Sequence, residues 1–312
     1  MPTRLKRGRE LSDLKLFRIE NDDVKELDAE TSVVEKSLQH LFEKHLEGLL
    51  AVRFLATEYA TGKTHGGRID TLGLDENGSP VIIEYKRRSD ENVMNQGLFY
   101  LDWLMDHKGE FELLVMKELG KDAGEQIDWT TPRLLCIAGD FTKYDEHAVQ
   151  QINRHIELLR YRTYQSNTLI AVELLNGEGA ATKIKETTLT APTKYSTFGD
   201  LLQKADEDLT ALYESVRDLC LSMGEDVAET ERRQYVAFRR LKNFASVEVR
   251  PKANCVLIYL KLDPEENDLE DGFTRDVGGI GHFGTGDFEV RIQSQADLER
   301  AIPFIEASYA VS

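Results

Sequence analysis

The chain has 312 residues, 41% of them hydrophobic and 30% charged, with 39 Lys/Arg against 56 Asp/Glu for a formal net charge of −17. That balance supplies enough apolar mass for real cores and excludes wholesale disorder or a collagen-like chain, and the length suits two domains. The acidity also argues against a protein that coats DNA along its whole surface, because a polyanion would be repelled at long range.

The longest clean apolar run, Cys255–Leu260, falls far short of the roughly 20 residues needed to cross a bilayer. The basic start, Met1 to Glu10, leads into Asp13, Glu20, Asp22 and Asp23 without an apolar stretch, so neither a signal peptide nor a membrane association is expected. Cys136, Cys220 and Cys255 stand far apart without the paired spacing of a zinc site or a disulfide framework. A reducing compartment, the cytoplasm, is therefore expected.

Residues 1–30 are polar and read as an extended arm. From Thr31, apolar residues at Val34, Leu38, Leu41, Phe42, Leu46, Leu49 and Leu50 recur at helical steps, with Thr31 or Ser32 as cap and Glu35 as capping-box partner. Strands are predicted at Val52–Tyr59, Arg68–Leu74 and Pro80–Lys86, the last two joined by a turn whose Asn77-Gly78 is a hairpin signal. Helices follow at 91–105 and 110–119, a strand at 133–138, a helix at 145–155, and strands at 158–164 and 168–175. This order is α/β. Residues 177–191 read as a linker.

Residues 192–312 read as a separate small α+β domain. A long amphipathic helix from Phe198 to Leu219 opens it, and a second helix is predicted at Arg232–Leu241. Strands at 247–249 and 256–262 precede an acidic loop, 263–271, with six acids and no base. The glycine-rich run Gly278–Gly286 reads as a tight turn into a strand at 288–292, and a helix at 296–305 closes the chain. The polar trio Arg275, Asp276 and His282 is assigned no chemistry. This part carries 14 basic against 23 acidic residues, so a polyanion is expected to meet the first part of the chain.

The chemistry concentrates between Gly67 and Arg88. Asp70 lies on one strand of the predicted hairpin, and Glu84 and Lys86 project from one face of the next, two residues apart. Two facing carboxylates repel unless a divalent cation neutralises them, and hard oxygen ligands suit Mg²⁺ or Mn²⁺. A neighbouring ammonium can orient a water there, so the set forms a kit for phosphodiester hydrolysis. The bare Asp/Glu-x-Lys pattern occurs four times in the chain, and only Glu84/Lys86 closes an apolar strand with an acid on the strand before. Arg68, Arg87 and Arg88 are candidates to grip a phosphate backbone.

Asp70, Glu84-Tyr85-Lys86, the preceding helix with Glu35 and the following helix with Gln96 together resemble the PD-(D/E)XK nuclease superfamily. The Gly67–Asp75 run, the Val81–Lys86 strand and Asn95–Leu104 look like the catalytic domain of NucS-type and RecB-type endonucleases, over about residues 31–175. The resemblance implies a restriction-endonuclease-like core, a mixed sheet flanked by helices, and Mg²⁺- or Mn²⁺-dependent cleavage of nucleic acid, DNA before RNA. It assigns the metal to Asp70 and Glu84, water activation to Lys86, support to Gln96, and the leading-helix glutamate to Glu35, with Glu43 and Glu47 as competitors. Two departures stand out. Ile69 replaces the family proline, and the short arm offers no counterpart to the DNA-binding N-terminal domain of NucS-type enzymes. Residues 191–312 resemble an uncharacterised domain found behind such nucleases, relatives of which are loosely labelled transport proteins. A non-catalytic binding module, a protein partner on the acidic second domain, and a homo-oligomer all stay open.

Overall fold

The computed structural model describes residues 15–20, 23–30, 35–62, 66–86, 93–165, 168–175, 196–282 and 284–312. The linker at 177–191, the cap candidates Thr31 and Ser32, and Arg87 and Arg88 lie outside the described residues.

The described part of the arm is not a plain extended segment. It contains an antiparallel pair, β1 (Leu16–Glu20) and β2 (Asp23–Leu27), and a short β3 (Ala29–Glu30) that joins the main sheet. The expected helix from residue 31 is broken in two, α1 (Glu35–Lys44) and α2 (Leu46–Leu50), because His45 leaves helical geometry. Ala51 then takes a left-handed conformation (φ 51°) that turns the chain into β4 (Val52–Ala60).

After β4 come β5 (Arg68–Asp75), β6 (Pro80–Lys86), α3 (Val93–Asp106), α4 (Lys108–Leu119), α5 (Lys121–Glu125) and β7 (Arg133–Ala138). Then follow α6 (Lys143–Gln151), started by a Thr142/Asp145 capping box, β8 (His155–Tyr164) and β9 (Leu169–Leu174). The seven strands form one mixed sheet, ordered β3-β8-β7-β6-β5-β4 with β9 also on β8. β6, β7 and β8 are parallel, and β4, β5 and β6 form an antiparallel meander. Val81, Ile83 and Tyr85 bury one face of β6 against Leu38, Phe42 and Leu46 of α1 and α2. Ile82 buries the other face against α3, α4 and their partners on β7. Helices on both faces explain why β6 and β7 read as unbroken apolar runs. The core is a mixed α/β sheet flanked by helices, as the resemblance implies.

The second sheet is built separately. It begins after α7 (Phe198–Leu202) and α8 (Glu207–Ser222), two helices where one was predicted, because Asp206 caps a new start on the Leu209 N–H. Its strands are β10 (Ala228–Glu231), β11 (Val236–Arg239), β12 (Asn243–Arg250), β13 (Cys255–Leu260), β14 (Thr274–Asp276) and β15 (Phe288–Ile292), followed by α9 (Gln295–Ala310). They run antiparallel in the order β10-β11-β12-β13-β15-β14. α8 and α9 cover one face, where Val247, Val256, Ile258, Val290 and Ile292 form the core. The helix predicted at 232–241 is a strand: Val236 to Arg239 are buried on both faces, so no apolar period distinguishes helix from strand.

The two sheets meet at the β5–β6 turn. Arg232 reaches Ser79 (2.7 Å) and Asp128 (2.8 Å), the Tyr235 hydroxyl donates to Asn77 Oδ1 (2.8 Å), and the Asn243 N–H donates to Glu76 (2.7 Å). Behind them Arg133 bridges Asp75 (3.0 Å) and Glu157 (2.9 Å), and Arg239 reaches Glu157 (2.6 Å). Burial alone would raise the Glu157 carboxyl, but the Arg133 and Arg239 guanidiniums overcome it and hold it down to about 2.

Candidate active site

Asp70 and Glu84 lie on adjacent strands, as the motif requires. The β5–β6 ladder pairs Thr71 with Ile83, Leu72 with Ile82 and Leu74 with Pro80, which brings Asp70 level with Glu84 one step past the end of the ladder. There the carboxylates take over main-chain bonding. The Asp70 N–H donates to Glu84 Oε1 (3.2 Å), and the Tyr85 N–H donates to Asp70 Oδ2 (3.0 Å). Each acid thus braces the opposite strand and is fixed by it.

The electrostatics are those of an uncompensated acidic pair. Glu84 is fully buried, and burial first, then the Asp70 charge, push its carboxyl up to about 9. Burial also raises Asp70, to about 6, against the lowering pull of the Tyr85 N–H and the Lys86 ammonium. Glu84 Oε2 is buried and has no hydrogen-bond partner. A buried acceptor with no donor is costly, and a cation is what a carboxylate oxygen in that position can use. The donor set therefore fits a hard divalent ion on Asp70 and Glu84. Among the described residues no group of three or more Asp, Glu, His or Cys side chains is arranged to hold a metal.

Lys86 follows Glu84 on the same face and is mostly buried, with Glu35 Oε1 of α1 at 3.3 Å from its Nζ. The structure thus brings Asp70, Glu84, Lys86 and Glu35 together. Of the competitors for the leading-helix glutamate, Glu43 faces a different cluster, accepting from Thr71 Oγ1 (2.7 Å) and Gln39 Nε2 (3.0 Å). Gln96 does not point at the carboxylates: its Nε2 donates to the Tyr100 hydroxyl (3.2 Å), which also accepts the Arg68 N–H (3.1 Å). Its contribution is to lock α3 onto the start of β5. Gly67 makes room for this, since a Cβ there would meet Tyr100 Cε1 at 2.5 Å. Arg68 is exposed and pairs with Glu58 (3.1 Å).

Three residues escaped the sequence reading. Gln39, 5% exposed, sends its Nε2 to the Asp70 carbonyl (2.8 Å) and to Thr57 Oγ1 (3.0 Å), pinning the strand that carries Asp70. A polar residue beside Leu38 on the buried stripe of α1 was the available signal. Thr71 ties the same strand to Glu43, one turn further along the helix that carries Gln39. Glu58 falls between Thr57, paired with Thr71, and Tyr59, paired with Ile69, so it stands across from Asp70 on β4. It holds a left-handed φ of 51° that a side chain adopts only under constraint, and its charge contributes to raising Asp70.

Residues 34–128 match the family model of the endonuclease NucS C-terminal domain, and residues 198–312 match that of a domain of unknown function, DUF5655. An uncharacterized protein of Haemophilus influenzae is 26% identical over 304 residues, covering 94% of this chain and 98% of its own. A solved EndoMS–dsDNA complex aligns at 16% identity with a TM-score of 0.24 over 47% of this chain, and the chain spans only 65% of that protein. Among the described residues no helix is long and apolar enough to cross a membrane. The family matches liken residues 34–128 to the endonuclease NucS C-terminal domain and residues 198–312 to an uncharacterised domain family.

Proposed function

We propose that the first domain hydrolyses phosphodiester bonds in nucleic acid, with DNA as the substrate its NucS-type kinship favours, in a reaction that depends on Mg²⁺ or Mn²⁺. The single observation that supports this most is the buried, facing pair Asp70 and Glu84, with one Glu84 oxygen unpartnered and Lys86 on the same strand face. Asp70 and Glu84 would hold the ion, which supplies Lewis acidity at the phosphate and a lower pKa for water. Lys86, steadied by Glu35, orients the attacking water and stabilises charge that develops on the phosphate oxygens. The water oxygen bonds to phosphorus as the bond to the leaving sugar oxygen breaks, leaving a new phosphate and hydroxyl end. Gln39 and Thr71 position Asp70, and Gln96 acts through Tyr100 at the strand's start.

Arg68, with Arg87 and Arg88, would meet the substrate backbone beside the hairpin, and the acidic loop 263–271 would not. A non-cleaving nucleic-acid-binding role is the second reading, supported by Gln96 turning to the Tyr100 hydroxyl instead of to the carboxylates. Titrating Mg²⁺ or Mn²⁺ into wild type and Glu84→Ala, with linear, circular, single-stranded and branched DNA, separates the readings. Metal-dependent cleavage by wild type alone supports hydrolysis. Binding without cleavage by either protein supports the second reading, and equal cleavage by both removes Glu84 from the chemistry.

A further inference from the structure

Among the described residues, no helix lies over the face of the second sheet turned away from α8 and α9. The period of two puts Cys255, Leu257 and Tyr259 of β13 on that face, with Arg250 opposite Cys255, Arg291 opposite Leu257, and Glu289 opposite Tyr259. The chain after β14 folds back across it. Gly284 (φ 92°) and Gly286 (φ 118°) bring this segment into close contact with the sheet, where Cβ atoms would meet Ser246 Cβ and the Leu260 carbonyl oxygen at 2.5 Å. Val277, Ile280 and His282 of the same segment line one side of a cavity of about 250 Å³. The floor is apolar, and the cavity is a little smaller than the roughly 300–1,000 Å³ of drug-sized sites. It is the size for one ring with an acidic substituent.

The charges around it do not cancel. Arg250 is matched by Glu248 at 2.5 Å, and Arg275 by the buried Glu289 at 2.7 Å. Arg291, the third guanidinium of the lining, makes no ion pair among the described residues. One uncompensated guanidinium thus stands over an apolar floor, in a part of the chain with 14 basic against 23 acidic residues. Its planar donors fit a carboxylate or a phosphate. His282 adds a directional group. It stacks on Tyr259 with centroids 4.5 Å apart, its Nδ1 lies 2.9 Å from the Ile280 carbonyl, and its buried Nε2 has no partner. With Nδ1 donating to that carbonyl, Nε2 is left as an acceptor for a ligand hydroxyl.

We propose that this cavity is a binding site for a small aromatic anion, a ring bearing a carboxylate or phosphate, held by Arg291 over the floor of Cys255, Leu257 and Tyr259. Ring and acid act together: the apolar floor takes the ring, and Arg291 pairs with the acid.

The test is calorimetric titration of the full chain with phenyl phosphate and with 4-hydroxybenzoate, against benzyl alcohol and inorganic phosphate. Saturable binding of at least one aromatic anion is expected, with benzyl alcohol and inorganic phosphate weaker by roughly tenfold. Arg291→Gln should weaken binding by roughly tenfold, with Arg291→Lys in between. Ile280→Trp, at a half-exposed position on the wall, should block the cavity with Arg291 intact. Failure of both aromatic anions to saturate overturns the proposal. So does equal binding of inorganic phosphate, or binding unchanged in both Arg291→Gln and Ile280→Trp. Unaltered thermal unfolding of the variants shows that loss of binding is local, and DNA cleavage plays no part in the readout.

Discussion

Replacing Glu84 with Gln should stabilise the metal-free protein at neutral pH. In the folded chain the Glu84 carboxyl is raised to about 9 by burial and by Asp70, from a usual 4.5. Between those values the unfolded chain has released a proton that the folded chain retains. The unfolded state binds fewer protons, so stability falls as pH rises across that window. At pH 7.5 the penalty is at most about 4 kcal/mol, taking 1.36 kcal/mol for each pH step above the usual value. Gln has no proton to release and still offers an oxygen to the Asp70 N–H, so most of this should be recovered, about 2–4 kcal/mol. Urea unfolding in EDTA from pH 5 to 8.5 measures it. Wild type should weaken steadily with pH, and Glu84→Gln should be nearly flat above pH 6. Below pH 6 a residual slope should remain from Asp70, which burial raises to about 6. Adding Mg²⁺ or Mn²⁺ at pH 7.5 should restore the wild type and leave the variant unmoved. A variant no more stable than wild type at pH 7.5, with the same pH slope, would refute the reasoning.

Lys86→Ala should lower the rate of DNA cleavage by roughly 10²–10⁴-fold while urea unfolding stays near wild type, since its Nζ sits at the end of β6 beside the half-exposed Glu35. Gln39→Ala removes the donor that reaches the Asp70 carbonyl, Thr57 and Glu43; a loss of about 1–3 kcal/mol is expected in urea, with a cleavage defect milder than that of Lys86→Ala. Arg232→Met strips the guanidinium from Ser79 and Asp128 at the junction of the sheets and should cost about 3–5 kcal/mol, read by urea unfolding at pH 7. A change under about 1 kcal/mol would show that the junction contributes little.

The candidate site was legible because it is written in one short stretch. A strand's period of two fixes Glu84 and Lys86 on one face, and the Asn77-Gly78 turn brings Asp70 level with Glu84. The supporting residues come from further away, and periodicity says nothing of them. Gln39 looks like any polar residue on a helix until the fold delivers it to the Asp70 carbonyl, and Gln96 looks like a site residue until Tyr100 intercepts it. In the second domain the helix predicted at 232–241 failed for a related reason. Val236 to Arg239 are buried on both sides, and two-sided burial erases the alternation that marks a strand. The split at Asp206 was readable in principle, since an aspartate three residues before Leu209 is a start signal. The apolar spacing continued across it and hid the break.

The junction between the sheets has a consequence for how the chain can be taken apart. Asp75 and Arg133 are nearly inaccessible to solvent, and they share one ionic cluster with Arg232 and Arg239 from the other side. Separating the halves would take Arg232 and Arg239 from Asp128 and Glu157, leave Asp75 and Glu157 to Arg133 alone, and open to water the turn of the very hairpin whose other end carries Asp70 and Glu84. A truncated first domain would then report on a hairpin with a frayed turn, and a weak activity in it would say little about the intact chain. The two halves are better dissected by single substitutions than by scissors, and the Haemophilus influenzae relative, aligned over 94% of this chain, carries them as one piece.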